Sequence, residues 1–267
     1  LSKVEEDIFQ ELKSRIKQTD MSVPYFENGY YYITRHEEAK EYPVYTRKYL
    51  SLEAQEEILL DVNHMAEGFE YFDLGSKAIS PDNQWMAYSS DSKGRRKYSI
   101  QIKNLQTAEI LTDNIPNTSG HMVWANDNTH FFYVRKNSSL RDFKIFRHKL
   151  GTNSDEDILV FHEKDELYNC YIYKSRSKKY LIIGSSSTLS DEYRILDANH
   201  PEGEFTIFQK RIPKLEFEID HLADQWYILT NKDEAINFKL MCCSSSNTSM
   251  DAWVDLIHHN EEIFIEE

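Results

Sequence analysis

The sequence predicts an all-β chain, a partial β-propeller of about five blades behind an N-terminal helix. Two observations carry this. A helical period occurs only in the first twenty residues, and after it short strands alternate with polar turns to the C-terminus. Those strands also repeat. Gln84-Trp85-Met86-Ala87-Tyr88, Thr129-His130-Phe131-Phe132-Tyr133, Lys179-Tyr180-Leu181-Ile182-Ile183 and Gln225-Trp226-Tyr227-Ile228-Leu229 each follow a polar turn. Trp85, His130, Tyr180 and Trp226 are separated by 45, 50 and 46 residues, the period of a propeller blade.

The N-terminal segment, residues 1–20, reads as a helix. Ser2 and Glu5 form a capping box, and Val4, Ile8, Leu12 and Ile16 recur every fourth residue, with Phe9 widening the stripe. The helix is expected to end near Thr19, because Pro24 cannot continue it. Its apolar stripe requires a partner surface, which is expected outside the chain.

Residues 21–267 read as propeller. Asn28-Gly29 signals a turn before Tyr30–Thr34. Val44–Leu50 with Glu57–Leu60 is the first copy of a strand–turn–strand unit. Further copies are Ser99–Ile102 with Glu109–Leu111, Lys144–Phe146 with Ile158–Phe161, Glu192–Ile195 with Phe205–Phe208, and Asn237–Leu240 with Trp253–Leu256. The chain stops within a strand-like run, Glu262-Ile263-Phe264-Ile265, so the ring is expected to be incomplete.

Composition narrows the function. The 267 residues carry 45 Asp and Glu against 31 Lys and Arg, a formal net charge of −14. That excess disfavours nucleic acid and acidic membrane surfaces as partners and would draw in a cationic ligand, although solubility alone accounts for much acidity. No apolar run is long enough to span a bilayer, and no signal-peptide layout is present. The three cysteines, Cys170, Cys242 and Cys243, form no CxxC pair. They are read as reduced thiols of a cytoplasmic protein, with Cys242 and Cys243 on opposite faces of one strand.

Local motifs are more specific than the repeat. Tyr71-Phe72-Asp73-Leu74-Gly75, Ala78-Ile79-Ser80-Pro81-Asp82, Ile115–Gly120, Val123-Trp124-Ala125-Asn126-Asp127, Tyr173–Tyr180, Gly184–Ser190 and Asn199-His200-Pro201-Glu202-Gly203 stand in the same order and at similar spacings as in oligopeptidase B (protease II). From about Ile16 to Glu267 the chain resembles that group, part of the prolyl oligopeptidase family of serine peptidases. The resemblance implies about five blades of a seven-bladed ring, joined in the whole enzyme to a C-terminal α/β-hydrolase domain absent from this chain. That domain would cut short peptides after Arg or Lys with a Ser-Asp-His triad, without metal or cofactor. The propeller would act as lid and filter, and the chain alone would be inactive.

The residues themselves supply no catalytic, cofactor-binding or metal-ligating assignment. Gly-x-Ser-x-Gly is absent. Gly184-Ser185-Ser186-Ser187 lacks the second glycine and reads as an exposed or channel-side turn between strands. His36-Glu37-Glu38 and His162-Glu163 lack a second histidine four residues on, and adjacent His258 and His259 in a strand would point to opposite faces. The acidic runs Asp155-Glu156-Asp157, Glu163-Lys164-Asp165-Glu166 and Asp191-Glu192 read first as solvated surface. Alternatively they line the tunnel and guide basic peptides. Arg95-Arg96-Lys97 and Arg176–Lys179 read likewise as surface, or as partners of hydrolase carboxylates. Trp85, Trp124, Trp226 and Trp253 are expected between blades. Exposed blade edges are expected to promote self-association. The competing reading is a non-catalytic propeller that binds partner proteins.

Overall fold

The structure, a computed structural model, describes residues 2–17 and 19–266. It divides into two compact units, one ending at Phe72 and the other beginning at Asp73.

The first unit opens with helix α1 (Ser2–Ser14). It stops earlier than Thr19 because Arg15 and Ile16 donate to Leu12 and Lys13, a tightening of the last turn by i→i−3 bonds. Gln18 lies outside the described residues. Val4, Ile8, Phe9 and Leu12 are all more than half exposed, so the stripe is unmatched within its unit. One antiparallel sheet follows: β1 (Asp20–Met21), β2 (Tyr25–Glu27), β3 (Tyr30–His36), β4 (Val44–Tyr49) and β5 (Glu56–Asp61). Asn28 and Gly29 both have positive φ, 48° and 85°, the geometry of a type I′ hairpin between β2 and β3. A short helix α2 (Val62–Met65), capped by Asp61, closes the unit; the sequence reading missed it.

Counting blades in chain order with the β1–β5 sheet as blade 1, the second unit holds blades 2 to 5 in three sheets. β6 (Asp73–Ile79), β7 (Trp85–Asp91), β8 (Tyr98–Asn104) and the first half of β9 (Ile110–Trp124) make blade 2. The second half of β9 pairs with β10 (His130–Lys136), followed by β11 (Asp142–Lys149) and β12 (Ile158–His162), to make blade 3. Blades 2 and 3 are therefore one seven-stranded sheet. Thr118 of β9 pairs with Tyr98 on one side and Arg135 on the other. Blade 4 is β13 (Asn169–Lys174), β14 (Tyr180–Ser186), β15 (Asp191–Asp197) and β16 (Thr206–Gln209). Blade 5 is β17 (Phe217–Leu222), β18 (Gln225–Thr230), β19 (Lys239–Ser244) and β20 (Val254–Ile257). Ile263–Ile265 form no strand, and His258 and His259 lie just beyond β20 rather than within it. Both departures come where ladder pairing has ended.

Strand parity builds the core. Phe131 and Tyr133 of β10 pack with Ile100, Ile102 and Ile115 of blade 2, whereas Phe132 and Val134 pack with Ile172 and Leu181 of blade 4. In β14, Leu181 and Ile183 face blade 3, while Ile182 joins Phe217, Trp226 and Ile228 of blade 5. Trp124, Trp226 and Trp253 are buried in these layers, and Trp85 packs at the edge of one. All three cysteines are buried free thiols.

The turns repeat as closely as the strands. In the turn from first to second strand, Ser80, Ala125 and Ser175 each donate their N–H to the carbonyl five residues on. Two residues before each second strand or at its threshold, Asn83, Asn128, Lys178 and Ala223 all take positive φ, 62°, 61°, 61° and 54°. Asparagine tolerates this region; alanine is disfavoured there by about 1 kcal/mol. Ala223→Asn should therefore stabilise the chain by about 0.5–1 kcal/mol, read as a higher urea midpoint at unchanged slope. A lower midpoint would show that the turn is held by something other than local φ preference.

Candidate functional site

The first strands of successive blades stand side by side. The Trp124 indole N–H donates to Ala78 O at 2.9 Å, a His121 ring nitrogen lies 2.6 Å from Ile172 O, and the Tyr173 hydroxyl donates to Ile219 O at 2.5 Å. The spacing of these bonds, 46, 51 and 46 residues, is the blade period. They align one rim of the unit, and the candidate site lies on that rim between β13 and β17.

In β17 Phe217, Ile219 and His221 are buried against blade 4, so Glu218 and Asp220 alternate to the other face. Two adjoining cavities of about 680 and 700 Å³ open here. Tyr171, Tyr193 and Glu218 line both, with Asp191 and Glu216 in one and Tyr173 and Asp220 in the other. Among the described residues, no lysine or arginine lines either. Burial raises the Asp191 carboxyl even though it accepts the Phe217 N–H at 3.0 Å. The Tyr173 and Tyr193 phenols are pushed upward by burial and by neighbouring groups, so both remain neutral. The result is an aromatic concavity under a negative potential, suited to an ammonium or guanidinium group. It holds no paired nucleophile and base.

Sequence reading reached Asp191 but missed Glu216, Glu218 and Asp220. The available signal was the alternation Glu216-Phe217-Glu218-Ile219-Asp220, a half-buried strand with acids on its open face.

The other acidic runs are split between surface and interior. Asp155 and Glu156 are exposed, but the Asp157 side chain is buried and accepts hydrogen bonds from Tyr133 and His148. Lys164, Asp165 and Glu166 are exposed, while Glu163 is buried and takes bonds from Ser185, Arg211 and the Asp165 N–H. Burial alone would raise Glu163; the Ser185 hydroxyl and the Arg211 guanidinium outweigh it and hold the carboxyl low. Arg211 lies 3.8 Å over the Tyr168 ring and also faces Glu192, which Arg194 pairs from the other side.

Gly184–Ser187 is corrected by this arrangement. Gly184 and Ser185 are buried within β14, and the turn begins only at Ser187. A Cβ at Gly184 would run into the Tyr171 ring, which lies across the glycine. Ser185 is engaged by a carboxylate, not by a histidine, so it is no nucleophile. A Ser–His contact that the sequence did not suggest lies at His221, whose nitrogens are 2.7 Å from the Ser177 and Ser245 hydroxyls. With both nitrogens taken by hydroxyls and the ring fully buried, it lacks an orienting carboxylate and access to substrate.

Arg95, Arg96 and Lys97 are exposed in the β7–β8 turn, where the Asp91 carboxylate accepts the Arg95 and Arg96 N–H groups. Arg176 and Lys179 instead tie blade 4 to blade 5 through Asp220 and Asp224. His36 and His162 end their strands exposed, and His258 pairs with Asp255. Among the described residues, no group of three or more His, Cys, Asp or Glu side chains is arranged to hold a metal ion.

The family model for the N-terminal β-propeller domain of prolyl oligopeptidase matches residues 1–267. The chain belongs to the prolyl oligopeptidase family. It is 37% identical to dipeptidyl aminopeptidase BI of Pseudoxanthomonas mexicana over 100% of its own length and 39% of the relative. It is 31% identical to protease 2 of Moraxella lacunata over 98% of its own length and 39% of the relative. Oligopeptidase B from Leishmania major superposes with a TM-score of 0.93 at 32% identity, covering 99% of this chain and 38% of that one. The chain thus spans about two fifths of the length of the curated relatives it matches. The propeller fold read from the repeat is the family's fold. Among the described residues, no helix is long and apolar enough to cross a membrane.

Arg211→Gln tests the Glu163 network of this oligopeptidase-family propeller. Removing one partner of a buried pair costs about 3–5 kcal/mol; with Arg211 27% exposed, a loss of about 2 kcal/mol is expected near neutral pH. The folded carboxyl is depressed, so this stabilisation is present above the ordinary carboxylate range and disappears as pH falls through the folded value. Denaturant unfolding of both proteins across that range would show the difference shrinking in acid. A pH-independent difference would assign the loss to packing.

Proposed function

We propose that the chain is the substrate-gating propeller portion of a serine oligopeptidase that cleaves short peptides after Arg or Lys. Residues 1–20 would lead into the propeller portion, 21–267. On this reading the chemistry belongs to a hydrolase domain outside the chain, where Ser attacks, His moves the proton and Asp orients it. The chain's own contribution is access and electrostatic steering. The acidic, aromatic cavities between β13 and β17 are the observation that carries the basic-peptide reading. A cytoplasmic setting agrees with three buried free thiols.

Two measurements test this. The purified chain should not hydrolyse an arginyl chromogenic ester, and the gene downstream of Glu267 should encode Gly-x-Ser-x-Gly followed by Asp and His. Measurable turnover, or a downstream sequence without that set, would overturn the reading. In the whole enzyme, Glu218→Gln with Asp220→Asn should lower kcat/KM for an Arg-containing decapeptide about threefold to tenfold at low salt, with the loss shrinking at high salt. A single-residue arginyl ester should be unaffected. Equal losses for both substrates would move the effect from entry to catalysis.

A further inference from the structure

We propose that the joint between blades 2 and 3 is locked by a proton held on His148, and that it loosens on the alkaline side of neutrality. His148 on β11 is fully buried. Its Nδ1 lies 2.7 Å from Asp157 Oδ1 and its Nε2 3.2 Å from Asp113 Oδ2, and both aspartate side chains are almost wholly buried. Asp113 belongs to the half of β9 that closes blade 2; His148 and Asp157 belong to blade 3.

The hydrogen-bond count assigns the proton. Asp157 also accepts from the Tyr133 hydroxyl at 2.8 Å, and Asp113 from the Gly151 N–H at 2.6 Å. Each ring nitrogen therefore faces a carboxylate oxygen that can only accept. A neutral imidazole would aim one lone pair at an anion; an imidazolium donates on both sides. The remaining neighbours add no competing cation at the ring. The Phe131 ring on β10 lies 5.0 Å from it, and Arg135 lies over the far rings of Tyr133 and Phe146. One cation between two anions thus adds a buried ionic bridge to the shared strand β9 and the apolar layer that already join the two blades.

Burial alone would lower His148, and the two carboxylates outweigh it and raise it above the ordinary value. The folded state therefore binds this proton more tightly than the unfolded state. The stabilisation is complete below the unfolded histidine pKa of about 6.5 and is lost as pH rises through the higher folded value. His221, at the joint of blades 4 and 5, has the opposite sense. Burial and the Lys179 cation lower it, so that joint weakens as pH falls below the ordinary histidine range. Neutral pH is where both joints hold.

Long-range ¹⁵N–¹H spectra of the histidine-labelled 267-residue chain test the assignment directly. Both His148 ring nitrogens should remain protonated at about pH 7.5, where exposed histidines are neutral. A single protonated nitrogen at about pH 7 would overturn the proposal. Hydrogen exchange of residues 110–124 gives the consequence. Protection, corrected for intrinsic rates, should fall about tenfold or more between about pH 7 and pH 9. In Asp113→Asn it should already be low at pH 7 and change little. Unchanged wild-type protection over that interval would refute the lock, and the wild-type spectra decide the matter even if the variant does not fold.

Discussion

Burial of a strand on both of its faces is the constraint on which the second unit depends. In β14, Leu181 and Ile183 reach one neighbour and Ile182 the other, and all three are fully buried. A blade standing alone would leave one of these layers in water, at about 1.5–3 kcal/mol for each aliphatic side chain exposed. Each blade is thus stable only in company, and its register is fixed from two sides at once, since a one-residue slip would exchange the layers. The matched turns and the rim bonds at blade spacing follow from this. Once the sheets stack at constant parity, the first strands come within side-chain hydrogen-bond reach at every joint, one blade period apart.

The same constraint explains what the sequence disclosed. Second strands are apolar at consecutive positions because both faces are covered, so Lys179–Ile183 and Thr129–Tyr133 were legible and revealed the repeat. First strands present only one face to the core. Phe217, Ile219 and His221 alternate with Glu216, Glu218 and Asp220, and that half-polar pattern did not register as a strand. The 15-residue β9 was hidden for another reason: Pro116 and Asn117, residue types that favour turns, sit inside it where the ladder register shifts. The site fared worst where partners lie far along the chain. Asp157 and Glu163 look like members of solvated acidic runs, and only folding brings His148 and Arg211 to them.

Buried polar groups at the joints have a role that apolar layers cannot fill. Valine, isoleucine and phenylalanine faces are nearly interchangeable between blades, so hydrophobic stacking alone would permit blades to pair out of order. The polar joints differ from one another. Asp113–His148–Asp157 closes blades 2 and 3, Asn126 with Lys174 and the Lys178 carbonyl closes 3 and 4, and Ser177–His221–Ser245 closes 4 and 5. Mispairing blades 2 and 3 would strand the buried Asp113, His148 and Asp157 side chains, and mispairing 4 and 5 the buried His221 ring, a penalty of several kcal/mol; the partly exposed Asn126 bonds cost less to lose. Buried ion pairs add little net stability, so their value here is in specifying which blade follows which.

That division also separates stability from recognition along the rim. On β17 the residues that face blade 4 hold the fold, while Glu218 and Asp220 line the cavities; Asp220 also accepts the Arg176 N–H of blade 4. Changing their charge removes no side chain from an apolar layer, whereas the second strand β14 is buried on both faces from Leu181 to Ser185. In blade 5 the open face of β17 is therefore where charge can change at the least cost to the apolar layers. The proposed gating role would use this division: a scaffold packed on both faces, as at β14, beside a strand whose open face carries the charge, as at β17.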